Sequence, residues 1–363
     1  MKRICIAAGG TGGHIYPALA LAQSAMEKDP DTRILFIGNA DRMEARIVPE
    51  AGFEFTALDT HGLEGSLKDK IRAGISLLKA IPEAEKILKA FQPDVVVGFG
   101  GYVSAPVLRA AHILHIPVMM HEQNSIAGKA NRVTARYADE IVVCYDKAAG
   151  QFPGGNVKQL GNPRGSVAAR AQGDPAAWQA LGLDPDRETI LVMMGSLGST
   201  TMNDVMQQVL ARPIDGLQFL FVTGRGNEQA AKCFENRPDV KAVSYVDTLK
   251  IYPYITGMIC RAGATTIAEL TARGIPAILV PSPYVAGNHQ YYNAAVLKDA
   301  GAAQLVEEAA LLKNPAILRE TIHGFFGSDM IRQTAAANAR KLGRPQAADQ
   351  MLQDMEVLCG GRS

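Results

Sequence analysis

The chain has 363 residues, 47% of them hydrophobic and 20% charged, with a formal net charge of +1. That length suits two domains of ordinary size, and the near-neutral balance excludes a global basic field of the kind that binds nucleic acid. Five cysteines, widely spaced and odd in number, with Cys5, Cys144 and Cys260 in strand-like runs, suit reduced thiols in a cytosolic protein. The N-terminus has no signal-peptide pattern, and no apolar run approaches the ~20 residues that cross a bilayer, so a soluble or at most peripheral protein is expected.

Residues 3–8 are an apolar run of strand character that breaks into Gly9-Gly10-Thr11-Gly12-Gly13, and a helical pattern starts near Ile15 with Pro17 in its first turn. A strand that dissolves into glycines and re-enters as a helix is an α/β phosphate or ligand loop. Glycine permits positive φ and close backbone approach, and the helix start offers N–H groups to an anion. The spacing is not the dinucleotide fingerprint, because the third glycine would fall on Ile15. The second strand, 33–37, ends in Gly38-Asn39 with no acid placed for an adenosine ribose. His14 at the helix entrance favours a substrate loop over a turn that merely packs helix on strand.

A helix at 42–50 and a strand at 53–58 follow, then a loop with Gly62 and Gly65 and a helical stretch 67–91 interrupted at Pro82. Strand 94–99 ends in Gly100-Gly101-Tyr102 and leads to a helix reaching His115. Strand 117–120 delivers His121-Glu122-Gln123-Asn124 at its carboxyl end, before a helix to Ala138 and a strand at 140–145. Apolar strands alternating with helices predict a parallel sheet covered on both faces, with ligands beyond the strands' carboxyl ends. The clusters 9–14, 100–102 and 121–124 all fall at such ends.

The pattern restarts after Gly161-Asn162-Pro163-Arg164, where we place the domain boundary. Strand 189–194 runs into Gly195-Ser196-Leu197-Gly198-Ser199, strand 217–223 into Gly224, and strand 242–246 precedes Asp247. Strand 257–260 precedes Arg261-Ala262-Gly263-Ala264-Thr265-Thr266, and strand 276–280 ends in Pro281-Ser282-Pro283, with a helix from about His289. The expected organisation is a first domain over 1–162, a second over 163–340, and a terminal helix in 341–363 packed back on the first. The fold class is α/β, two doubly wound Rossmann-like domains facing across a cleft.

The stretch 260–270, CRAGATTIAEL, is the strongest chemical signal of the second half. Gly263 gives a tight turn, Thr265 and Thr266 bring hydroxyls to a helix N-terminus, and Glu269 follows one turn in. A nucleoside diphosphate fits, with phosphates on the helix start and ribose hydroxyls on the carboxylate. The macrodipole contributes only about 0.3–2 kcal/mol, so directed N–H and hydroxyl contacts must carry most of the binding.

GGTGGH at 9–14, GGY at 100–102, HEQN at 121–124, GNPR at 161–164, RAGATTIAE at 261–269 and HQYYNA at 289–294 together resemble the MurG family of bacterial N-acetylglucosaminyltransferases. The resemblance runs in order from Lys2 to about Glu307. It implies a GT-B architecture, an inverting mechanism and no cofactor. The donor implied is UDP-N-acetylglucosamine, and the acceptor is lipid I, undecaprenyl-diphospho-N-acetylmuramoyl-pentapeptide, met at the cytoplasmic face of the membrane.

Carried over by position, the resemblance puts Thr11, Gly12 and Gly13 by the sugar and diphosphate, Asn124 and Gln290 on N-acetylglucosamine hydroxyls, and Arg164 and Ser196 on the diphosphate. The backbone at Val246 would read the uracil edge; Ala264, Thr265, Thr266, Ile267 and Ala268 would hold phosphates and Glu269 the ribose. His14, Tyr102, His121, Glu122 and Asn131 would line the acceptor side. The chain departs from the family at Leu197, where a polar residue such as Gln commonly follows GGS, so any contact made by that side chain is missing.

Displacing UDP from an anomeric carbon requires a base for the acceptor hydroxyl and stabilisation of the leaving diphosphate. A metal held by paired carboxylates usually does the second, and a hydroxyl-bearing helix start with Arg164 can replace it, so no metal is expected; His112 and His115 read as helix surface. His14 and Glu122 are the base candidates. The helix start beside His14 disfavours the imidazolium and keeps the ring neutral and able to take a proton, with a hydrogen bond to the donor diphosphate as the alternative role. Two other functions stay open: a UDP-sugar 2-epimerase of the same fold, and a two-lobed binding protein. Residues 67–81 place Ile71, Ile75, Leu78 and Ile81 on one helical face beside Lys68, Lys70, Arg72 and Lys79, either packed on the sheet or resting on anionic lipid.

Overall fold

The computed structural model describes residues 1–60, 67–195 and 198–361, and within the helix Leu67–Phe91 the side chains of 76, 77 and 79 onward. The chain divides into two compact units, Met1–Val167 with Gln346–Ser363, and Ala168–Pro345. Both divisions lie a few residues beyond those expected from sequence, because the first falls inside a helix, Pro163–Arg170, that starts on the proline of GNPR.

In the first unit the strands are β1 (Arg3–Ala8), β2 (Arg33–Gly38), β3 (Glu54–Ala57), β4 (Val95–Gly100), β5 (Val118–Glu122), β6 (Glu140–Val143) and β7 (Val157–Lys158). They form a parallel sheet in the order β3-β2-β1-β4-β5-β6-β7. Strands covered on both faces read as continuous apolar runs, and β1 shows why. Ile4, Ile6 and Ala8 enter the core under the helix Gly12–Lys28, while Cys5 and Ala7 face the opposite core with Val107 and Leu108 of the helix Ser104–Ile113.

The terminal helix Ala347–Gly360 belongs to the first of these cores through Met351, Leu352 and Met355, each 1% exposed or less. Burying such a side chain is worth roughly 1.5–3 kcal/mol. Lys158 adds ion pairs to Glu140 and Asp354 at 2.8 and 2.9 Å, and Ser166 Oγ accepts the Ala348 N–H at 2.9 Å.

Pro82 does not interrupt its helix. Leu67–Phe91 is continuous, its second half held on the sheet by Ala80, Ala84 and Leu88, so packing outweighs the lost hydrogen bond. Ile81 is partly buried against the same core, whereas Lys79 is exposed. Lys68, Lys70, Ile71, Arg72, Ile75 and Leu78 lie outside the described side chains.

The second unit repeats the plan with β8 (Glu188–Met193), β9 (Leu217–Val222), β10 (Val240–Val243), β11 (Gly257–Cys260), β12 (Ala277–Leu279) and β13 (Ala303–Leu305), in the order β10-β9-β8-β11-β12-β13. Its core sets Phe219, Phe221 and Ile259 against Met202 and Met206 of the helix Thr200–Val209 and Phe326 of the helix Ala316–Phe326. β10 ends before the position read from sequence, so Val246 sits in the loop leading to Asp247, which caps the helix Thr248–Ile251.

In each sheet the chain reverses its direction of travel at one place, between β1 and β4 and between β8 and β11. Ligands of doubly wound sheets bind outside the carboxyl ends at this switch point. The four motifs 9–14, 100–102, 195–199 and 261–266 follow the four strands concerned.

Candidate active site

In the first unit the loops after β1 and β4 are locked together. The Gly9 N–H donates to Gly100 O at 3.3 Å, and Ser104 Oγ donates to Ala7 O and Gly100 O at 3.0 and 2.8 Å. Gly101 has φ +86°, and a Cβ there would lie 2.5 Å from Gly9 O, so both conformation and contact require glycine. The Gly10 N–H donates to Glu44 Oε2 at 3.2 Å and the Asn39 N–H to Glu44 Oε1 at 3.1 Å. Glu44 is fully buried, so this carboxylate clamps the ends of β1 and β2.

Thr11 stands at the N-cap of Gly12–Lys28 with no side-chain cap bond, and no acid occupies the first turn, so the helix start is chemically suited to an anion. His14 Nδ1 lies 2.8 Å from Gly9 O and 3.4 Å from Thr11 Oγ1. A carbonyl oxygen only accepts, so Nδ1 carries the proton and the neutral ring has its lone pair on Nε2. The ring packs over Gly100, where a Cβ would come within 2.9 Å of Nε2. Tyr102 is half-buried in the adjoining turn.

The expected acceptor residues of β5 are placed differently. β5 runs on to Glu122, which carries His121 and Glu122 into the sheet, 0% and 1% exposed. His121 Nε2–H donates to Gly161 O at 2.9 Å, the ring lies 5.0 Å from that of Phe99, and Nδ1 is buried without a hydrogen-bond partner. Burial, with a smaller effect of His14, pushes its pKa down to about 4, against the hydrogen bond to Gly161. Glu122 accepts from Asn124 N at 2.9 Å, Gly128 N at 2.9 Å and Asn131 Nδ2 at 2.8 Å. Asn131 is buried and also donates to His121 O at 3.1 Å. His121, Glu122 and Asn131 therefore form an internal brace under the segment 122–128, and half-buried Asn124 is the residue this brace presents. Arg164, half-buried, has its N–H on Asn162 Oδ1 at 2.9 Å.

In the second unit Gly195 and Gly198 after β8 both have positive φ, while Ser196 and Leu197 lie outside the described residues. After β11, Gly263 is the N-cap of the helix Ala264–Arg273, with no side-chain cap bond and no acid in the first turn. Ala264, Thr265, Thr266 and Ala268 are half-buried, whereas Ile267 points into the core at 3% exposure. Thr265 Oγ1 is buried with no hydrogen-bond partner. Glu269, 5% exposed, accepts from Tyr252 Oη at 2.5 Å. Gln290 Oε1 accepts the Ser282 N–H at 2.8 Å at the end of β12, which turns the amide NH₂ the other way. Arg261 opens the loop in a buried ion pair with Glu308 at 2.5 Å.

His112 packs against Tyr137 with ring centroids 5.5 Å apart, and His115 lies past the helix end with φ +57°, so the two do not share a helix face. Among the described residues no group of three or more His, Cys, Asp or Glu could hold a metal ion. Glu44 and Tyr252 were not legible as site residues. Each acts through a partner distant in sequence, and neither stands in a glycine-rich or helix-start motif.

Two doubly wound parallel sheets, with helix starts that lack a side-chain cap after β1 and β11, have the architecture of the GT-B enzymes, the glycosyltransferases among them. The N-terminal domain of glycosyltransferase family 28 matches residues 4–143 and its C-terminal domain residues 189–351. The UDP-N-acetylglucosamine–N-acetylmuramyl-(pentapeptide) pyrophosphoryl-undecaprenol N-acetylglucosamine transferase of Lactiplantibacillus plantarum is 41% identical, over 98% of this chain and 99% of that one. The chain belongs to the MurG family. The crystal structure of Acinetobacter baumannii MurG superposes with a TM-score of 0.78 at 27% identity, covering 98% of this chain and 99% of that one. The UDP-GlcNAc 2-epimerase of Neisseria meningitidis, solved with UDP-GlcNAc, shares the fold alone, with a TM-score of 0.66 at 13% identity over 98% and 99% of the two chains.

Proposed function

We propose that this chain transfers N-acetylglucosamine from UDP-N-acetylglucosamine to the muramoyl 4-hydroxyl of undecaprenyl-diphospho-muramoyl-pentapeptide, with inversion at the anomeric carbon. The observation that carries this reading is the correspondence over nearly the whole length to a transferase named for that reaction. Nε2 of His14 takes the proton of the acceptor hydroxyl as it attacks, and the tautomer set by Gly9 O supports that role. Glu122, buried under three donors, orients the segment that carries Asn124 instead of acting as base. In the second unit the N–H groups of residues 264–266 and the hydroxyls of Thr265 and Thr266, with Ser196, are assigned to the charge of the departing diphosphate, and in the first unit so are Arg164 and the N–H groups of Gly12 and Gly13. Glu269 takes the ribose hydroxyls, the backbone at Val246 the uracil, and Asn124 and Gln290 the sugar. Tyr102 lines the acceptor side.

Among the described residues no helix is long and apolar enough to cross a membrane. The lipid-linked acceptor then requires a peripheral approach to the cytoplasmic face, for which the helix Leu67–Phe91 is our candidate contact. Incubation with UDP-N-acetylglucosamine and a lipid I analogue tests the function. UDP should appear only when both are present; UDP released from donor alone, or donor epimerised at C2, overturns it.

A further inference from the structure

Tyr252 is 1% exposed, the largest of the fully buried side chains among the described residues, and it follows directly on the helix Thr248–Ile251. Packing alone would be served by phenylalanine, and a buried phenol needs a partner for its hydroxyl. That partner is Glu269, whose Oε2 receives the Tyr252 O–H at 2.5 Å. Burial, together with the adjoining carboxylate, holds the phenol well above its ordinary pKa, with a hydrogen bond from Thr248 as the opposing influence. Tyr252 therefore keeps its proton and remains the donor at any working pH. The arrangement runs from residues 246–248, just past β10, through the phenol to the second turn of the Ala264–Arg273 helix.

We propose that Tyr252 is a positioning residue for nucleotide recognition: its O–H fixes the plane of the Glu269 carboxylate for the ribose hydroxyls of a uridine diphosphate and couples that carboxylate to the segment receiving the base. The inference rests on the assignment of Glu269 to the ribose made above. A donor on one carboxylate oxygen fixes the rotation of the group, so hydroxyls that bind it meet an acceptor already aimed.

Calorimetry on the full chain with UDP, 2′-deoxy-UDP and 3′-deoxy-UDP tests it. The unaltered protein should bind at least one deoxy nucleotide about tenfold or more weaker than UDP, as befits a hydroxyl on a charged acceptor. In Tyr252→Phe that ratio should fall to about threefold or less, with UDP weakened and the deoxy nucleotide nearly unchanged. A merely structural role would weaken all three nucleotides together and leave the ratio intact, which overturns the proposal. If the unaltered protein does not discriminate at all, the ribose assignment of Glu269 fails first and the proposal falls with it. Should Tyr252→Phe not fold, Thr248→Val decides: a reduced ratio supports the coupling, and an unchanged one overturns it.

Discussion

His14 and His121 show how one side-chain type is put to opposite uses within one unit. Both rings donate to a glycine carbonyl, His14 through Nδ1 and His121 through Nε2, so their lone pairs sit on opposite nitrogens. Under the base assignment, His14→Ala should lower kcat by about 10²-fold or more while the Kd for UDP stays nearly constant. Retained kcat with lost UDP binding would make His14 a diphosphate ligand and leave the base to be found elsewhere. His121 carries a different prediction. Its pKa of about 4 lies below the ordinary 6.5, so between those values the unfolded chain binds a proton that the folded chain does not. Stability from this residue is complete above pH 6.5 and declines as pH falls toward 4, by roughly 3 kcal/mol in all. Thermal denaturation across that range should show a shallower acid slope for His121→Gln than for the unaltered protein; parallel slopes would refute the assignment.

At the scale of elements, the loops after β1 and β4 behave as one body because Gly101 lies flat against Gly9 O. Gly101→Ala forces a displacement and a left-handed backbone on a Cβ-bearing residue, costing about 1–3 kcal/mol, and should depress kcat along with Tm. Gly154→Ala, also at positive φ (+77°) but with open space around its Cβ, is the control and should lower Tm alone. An unaffected kcat in Gly101→Ala would mean that the two loops adjust independently. The helix Leu67–Phe91 is tested by Ile75→Ser/Leu78→Ser, which should weaken binding to anionic liposomes at low salt; equal binding by both proteins removes the helix as the lipid contact. Much of this organisation is legible in the sequence because apolar runs ending in glycine mark strands and their carboxyl ends without reference to anything distant. The bracing is not legible. Glu44 can be seen to hold Gly10 and Asn39 only once β1 and β2 are paired, Ile4 beside Ile34. Asn131 and Glu122 look like surface chemistry in a polar motif, yet their polarity is spent on each other and on the backbone. Pro82 reads as a break because local preference is visible in a sequence and the packing that overrides it is not.

Across the whole molecule the two units share a strand order, and each presents a helix start without an acidic first turn. Under the proposed assignment of the leaving diphosphate to Arg164 and backbone donors, transfer is expected to persist in EDTA; complete loss of activity restored by magnesium would show that these groups do not suffice. The division into two units was readable from the restart of the strand–glycine–helix pattern. The return of the chain end to the first unit was expected, but not which surface it covers, since Met351, Leu352 and Met355 do not name their partners in Ile4, Ile6 and Val97. That return bears on how the protein is made. Met351, Leu352 and Met355 complete a core whose other members begin at Ile4, so during synthesis the first unit lacks a wall until the helix Ala347–Gly360 has left the ribosome. The second unit, contiguous from 168 to 345, has all its parts available sooner. The unit translated first is thus the one finished last, and until then its uncovered apolar face is the stretch of the nascent protein most in need of a chaperone.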